Sequence, residues 1–168
     1  MILQLLICLV LLIIMIQDFR FRAVHWILFP ILLILLVTES LFVSKIDNYL
    51  DSISINLLVI LLQGLILIGY YKLKGTHFIN FMKDRIGMGD LLFVLVMAFA
   101  FSWSTFLFYY IAGLLFTLIT WIAVRNLIKL RSQLVPLAGM LALFMTIIML
   151  ADIILPDYSR GMDMLNLY

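Results

Sequence analysis

The chain has a single cysteine, Cys8, among 168 residues, which excludes a disulfide framework and a cysteine-based zinc site. Charge is scarce as well: 12% of residues are charged against 67% hydrophobic, and the mean hydropathy is +1.26. A water-soluble domain could not cover its surface with so few polar groups, so the bilayer is the expected solvent. The net charge of +2 carries no continuous basic face. Its Lys and Arg residues fall in short clusters between apolar runs, which argues against a nucleic-acid partner and for topology signals. The opening stretch Met1 to Ile16 lacks a basic n-region and a small-x-small cleavage site, so it is expected to be a retained first span. No internal repeat, low-complexity tract or second domain is visible, and residues 1–168 are expected to form a single membrane-embedded domain.

What is present is apolar length. The stretches Met1 to Ile16, Trp26 to Val43, Ile53 to Tyr71, Leu91 to Trp103, Thr105 to Val124 and Leu134 to Leu155 are mostly near the ~20 residues that a spanning helix needs. The expected fold is all-α, a polytopic membrane protein of about six transmembrane helices. Leu91 to Val124 is too long for one span and divides in two if the chain turns at Ser102-Trp103-Ser104. Basic residues of short loops gather on the cytoplasmic side, so they test that division. With the turn, Arg20, Arg22, Lys72, Lys74, Lys83, Arg85, Arg125, Lys129 and Arg131 share one side and only Lys45 and Arg160 the other. Without it the ratio of nine to two falls to seven to four. Six spans, with three basic loops in the cytoplasm, is the expected topology. The longest inner loop, Lys72 to Gly89, contains the amphipathic run Phe78 to Lys83, which reads either as an interfacial segment or as an ordinary loop.

Ionisable groups at a membrane are costly, and each one asks for a reason. Asp47, Asp51, Asp157 and Asp163 fall in polar loops or the tail; Glu39 and Asp152 fall near outer helix ends; Asp84 lies in the basic inner loop. Asp18 and Asp90 differ. Asp18 closes the first span and Asp90 opens the fourth, so both are expected at one level just beneath the cytoplasmic surface. Asp90 also ends the run Gly87-Met88-Gly89-Asp90, whose glycines permit close backbone approach. A helix start with Asp90 as a capping carboxylate accounts for the same four residues.

The Gly87-x-Gly89-Asp90 motif at the start of a span, with Asp18-x-Arg20-x-Arg22-x-Val24 after the first, resembles the catalytic pattern of the type IV prepilin peptidases, membrane aspartyl proteases of the Gly-x-Gly-Asp type. The segment Val135-Pro136-Leu137-Ala138-Gly139-Met140 is similar to the proline-containing start of that family's last span. The likeness covers nearly the whole chain and departs from the family pattern at Val24-His25-Trp26, where Ile-Pro-Asn is usual. It departs again at Leu91-Leu92-Phe93, where Val-Lys-Leu is usual, and at Gly139, where a second proline is usual. With one cysteine, the paired Cys-x-x-Cys region linked to pilin N-methylation is excluded, so the resemblance is to the peptidase core alone.

The resemblance implies an aspartyl endopeptidase of the cytoplasmic (inner) membrane that removes the leader of prepilin-like substrates. Asp18 and Asp90 would be catalytic, and Gly87 and Gly89 would lie against the substrate backbone; Asp84 is the nearby acidic residue that would contact the leader, unless it simply balances Lys83 and Arg85. Neither metal nor other cofactor is expected, because one ionised and one protonated carboxyl suffice to activate water and polarise the scissile carbonyl. The expected partners are a protein with a pilin-like leader and membrane lipid; the basic loops suit anionic headgroups. Two other classes stay open: a small proton or cation transporter that uses the aspartate pair, and an inactive pilin-binding scaffold.

Overall fold

The computed structural model describes residues 2–43, 46–73, 87–128 and 136–154. Among the described residues the chain is all-helical: α1 (Ile2–Phe21), α2 (Leu28–Val43), α3 (Ile46–Leu73), α4 (Met88–Ala100), α5 (Trp103–Ile128) and α6 (Leu137–Ile154). Three stretches, Ile2–Phe21, Leu50–Tyr70 and Trp103–Ala123, are long and apolar enough to cross a membrane, and α2, α4 and α6 carry shorter apolar helices.

Each inner helix buries a stripe of residues three and four apart, the spacing that keeps side chains on one face. In α1 the stripe is Ile7, Leu11, Ile14 and Asp18; in α4 it is Phe93, Val96, Met97 and Ala100; in α6 it is Ala138, Leu141, Ala142 and Met145. Helix α1 packs most extensively on α6 and also on α2, α2 packs on α4, and α5 packs on α6. At the last of these contacts Gly113 is required for close approach, since an added Cβ would stand 2.6 Å from Leu141 Cδ2. Small residues at helix contacts are the usual means of bringing membrane helices together.

Helix α3 has the polarity of a membrane protein. Its buried positions are Ser52 and Asn56, while Leu58, Leu61, Leu65 and Ile66 are each more than half exposed. Apolar surface of that extent is tolerable where lipid, not water, is the neighbour.

The helix boundaries move relative to the sequence reading. Helix α1 runs to Phe21, so Asp18 lies inside it, and Asp90 is the third residue of α4. Lys72, Met88 and Gly89 belong to helices instead of the inner loop. The break between α4 and α5 falls at Phe101-Ser102, and Trp103 starts the later helix. Ser102 accounts for this: its carbonyl accepts the Phe106 N–H at 2.8 Å and its hydroxyl pairs with Thr105 Oγ1 at 2.8 Å, as at a helix start. Asn56 secures the same corner. Its Nδ2 donates to the Ala98 carbonyl at 3.0 Å and to the Phe101 carbonyl at 2.8 Å, satisfying acceptors that α4 leaves open at its end.

Candidate active site

The start of α6 organises the site. Pro136 precedes the helix and its carbonyl accepts the Met140 N–H at 3.0 Å, the first bond of the helical ladder. The amides of the first turn have no intrahelical acceptor and must find partners elsewhere. Asp90 Oδ1 accepts the Ala138 N–H at 2.7 Å, and Asp18 Oδ2 accepts the Gly139 N–H at 2.7 Å. The two carboxylates thus hang on consecutive amides of a third helix. Three covalent bonds separate those nitrogens, so the accepting oxygens stand no more than about 10 Å apart.

Each aspartate arrives there for a local reason. Asp18 continues the buried stripe of α1 and is 7% exposed. Gly139 lets α6 close onto it: a Cβ at that position would meet Asp18 Oδ2 at 3.0 Å, Asp18 Cβ at 3.1 Å and Phe19 Cδ2 at 3.1 Å. A proline at 139 would have no N–H to give to Asp18. Gly139 therefore supplies both the space and the donor that the carboxylate uses.

Asp90, half-buried, is placed by the start of α4. Gly87 is the N-cap, with φ −68° and ψ 130°, and its carbonyl accepts the Asp90 N–H at 3.0 Å. The capping position is thus Gly87, and Asp90 stands three residues on. Gly87 needs no special backbone conformation. What it provides is room, because an added Cβ would lie 3.0 Å from Asp90 Oδ2. Gly89 has a different environment: its vacant side faces Phe29 Cζ at 3.7 Å and Val24 Cγ2 at 3.8 Å, ordinary contact distances within the protein. The glycine motif fits α4 against the α1–α2 connection and leaves space for the carboxylate.

The structure brings Asp18 and Asp90 together at the start of α6, with Gly87 against Asp90 and Gly89 against Val24 and Phe29; Asp84 and the run Phe78 to Lys83 lie outside the described residues. No three His, Cys, Asp or Glu side chains gather as a metal site among the described residues. Sequence reasoning missed the roles of the Ala138 and Gly139 amides. The signal was Pro136 at a span start with two small residues, Ala138 and Gly139, in the first turn after it, where free N–H groups are expected. It also missed Gln17, next to Asp18, whose Oε1 accepts the His25 N–H at 3.0 Å and ties the connection to α2 back onto α1.

No protein-family profile, curated protein or solved structure matches the chain.

Proposed function

We propose that this protein is a membrane-embedded aspartyl endopeptidase of the prepilin peptidase type, with Asp18 and Asp90 as its catalytic pair. The observation that carries the reading is the convergence of the two carboxylates, 72 positions apart in the chain, on adjacent amides of one helix start. Each is anchored through one oxygen, which fixes the pair in register for a shared water and a scissile carbonyl. Like charges held this close favour one proton between them, the division of labour that two-carboxylate hydrolysis needs. The six helices each cross the cytoplasmic membrane, with the dyad at its inner face, and the substrate is a protein with a pilin-like leader.

A second reading is favoured by the same hydrogen bonds: the aspartates act only as caps for α6, since carboxylates at a helix N-terminus are stabilising in their own right. Substitution by asparagine separates the two, because the amide oxygen still accepts the N–H but the side chain no longer titrates. The test is a cleavage assay with purified protein in liposomes, offered leader-bearing candidate substrates and monitored in parallel for proton and cation flux. Cleavage by the wild type that is lost in Asp18→Asn and Asp90→Asn supports the peptidase. Flux without cleavage establishes a transporter, and binding with neither establishes a scaffold.

A further inference from the structure

The end of α1 and the connection to α2 turn nearly every side chain outward. Residues 19–27 are all exposed except Val24, which is partly buried. Phe21, Trp26 and Ile27 are 63%, 70% and 54% exposed, and Arg20 and Arg22 stand among them. The Arg20 guanidinium lies 5.3 Å from the centre of the Phe21 ring, a cation–π arrangement. Large apolar side chains gathered in the open are unfavourable in water. At a bilayer interface the same mixture is stable, because tryptophan settles at headgroup level and arginine lays its stem on apolar surface with its guanidinium among the headgroups.

The same segment meets the candidate site from its other side. Val24 Cγ2 stands 3.8 Å from the position of a Cβ on Gly89, the residue before Asp90. The backbone around Val24 is tied to α1 through the His25 N–H, which donates to Gln17 Oε1 at 3.0 Å, and to α2 through the His25 carbonyl, which accepts the Leu28 N–H at 3.1 Å. One short segment therefore presses a valine on the glycine motif and presents two arginines and a tryptophan outward.

We propose that this segment is a docking surface for the headgroup of an anionic phospholipid, with Arg20 and Arg22 as its charged contacts and Trp26 as its interfacial anchor, and that the docked lipid keeps Val24 seated on Gly89. Charge selects the occupant. A phosphodiester with no cation of its own pairs with guanidinium, whereas a zwitterionic headgroup offers no net charge. The binding rests on the membrane reading alone; its effect on cleavage rests on the peptidase reading.

Two measurements test the two parts, each on full-length protein in bilayers and each with melting temperatures checked. Binding is read without any cleavage from Trp26 fluorescence, with Trp103→Phe and Trp121→Phe leaving it the sole tryptophan. Brominated phosphatidylglycerol should quench Trp26 with a relative binding constant at least about fivefold above that of brominated phosphatidylcholine, the contribution of one basic residue at an anionic surface. Arg20→Gln with Arg22→Gln should bring the ratio to about one. A ratio of one before those substitutions, or an unchanged ratio after them, would overturn the docking surface. The coupling is read from kcat for leader cleavage, which should be at least about threefold higher with phosphatidylglycerol than in phosphatidylcholine alone. Val24→Ala should keep the quenching preference and lose that lipid dependence. Equal wild-type rates in the two bilayers would overturn the coupling, and recovery of the higher rate on adding soluble glycerol phosphate to phosphatidylcholine bilayers would overturn the lipid as its source. If the wild type cleaves no leader in either bilayer but the quenching preference is present, the peptidase reading fails and the lipid surface stands.

Discussion

At the scale of single residues, the site is built from groups whose chemistry is visible in the sequence and from others that are not. Asp18 and Asp90 stand out because a carboxylate beside apolar runs is costly and demands a partner. The Ala138 and Gly139 amides do not stand out, since every residue but proline has an N–H and only the fold decides which lack acceptors. Gly139 gives the sharpest residue-level prediction. Gly139→Ala introduces a Cβ 3.0 Å from Asp18 Oδ2 and 3.1 Å from Phe19, and the buried helix pair cannot easily relax. The variant should lose about 1–3 kcal/mol of stability in thermal or denaturant unfolding and most of its cleavage; unchanged melting and activity would show that α1 and α6 are not so closely joined. Gly89 is the contrasting case. Its added methyl meets Val24 and Phe29 at ordinary distances, so Gly89→Ala should fold normally, with a stability change within about 1 kcal/mol. If substrate backbone runs past this residue, cleavage drops severely while the Met88→Leu control stays active. Cleavage near the wild-type rate would restrict Gly89 to packing.

At the scale of elements, apolar length and loop charge made the six helices legible, including the division of the long run from Leu91 to Val124. The sequence reading set the turn at Ser102-Trp103-Ser104, where it divides a run too long for one span. The actual break comes at Phe101-Ser102, where the hydroxyl of Ser102 meets Thr105 and Asn56 takes up the loose carbonyls of α4. Asn56 was not legible as a corner pin, because one amide inside an apolar stretch has no pattern to mark it. Helix ends were misjudged by a few residues for a related reason: α1 runs past Asp18 and α4 begins before Asp90, since an aspartate with a partner on another helix need not end its own. Asn56 is fully buried, and its Oδ1 has no hydrogen-bond partner among the described residues. Asn56→Leu removes two bonds to the α4 carbonyls and should cost about 1–2 kcal/mol in unfolding. A variant as stable as the wild type would mean that the corner is held by the Ser102–Thr105 contact alone.

At the scale of the whole molecule, the inside-out character of α3 and the packing of α1 on α6 describe a membrane protein whose polar groups face its own interior. The proposed topology sets the start of α4 and the start of α6 on the same side as the end of α1, which the hydrogen bonds of Asp18 and Asp90 to adjacent amides require. That agreement links loop charge to site geometry: a single span over Leu91 to Val124 would leave both aspartates on one side and carry the Ala138 and Gly139 amides to the other. Cysteine labelling should therefore place positions near Ser102 outside the cell and positions in the stretch 127–130 inside. Labelling of both from one side would contradict six spans. The most direct measurement of the central claim is the rate of leader cleavage by purified wild type, Asp18→Asn and Asp90→Asn, each checked for the same melting temperature. Asparagine keeps the acceptor for the α6 amide, so all three should fold alike, while each substitution should reduce kcat by at least about a hundredfold. Full cleavage by either asparagine variant would contradict the account, and the two carboxylates would then be caps of α6 and nothing more.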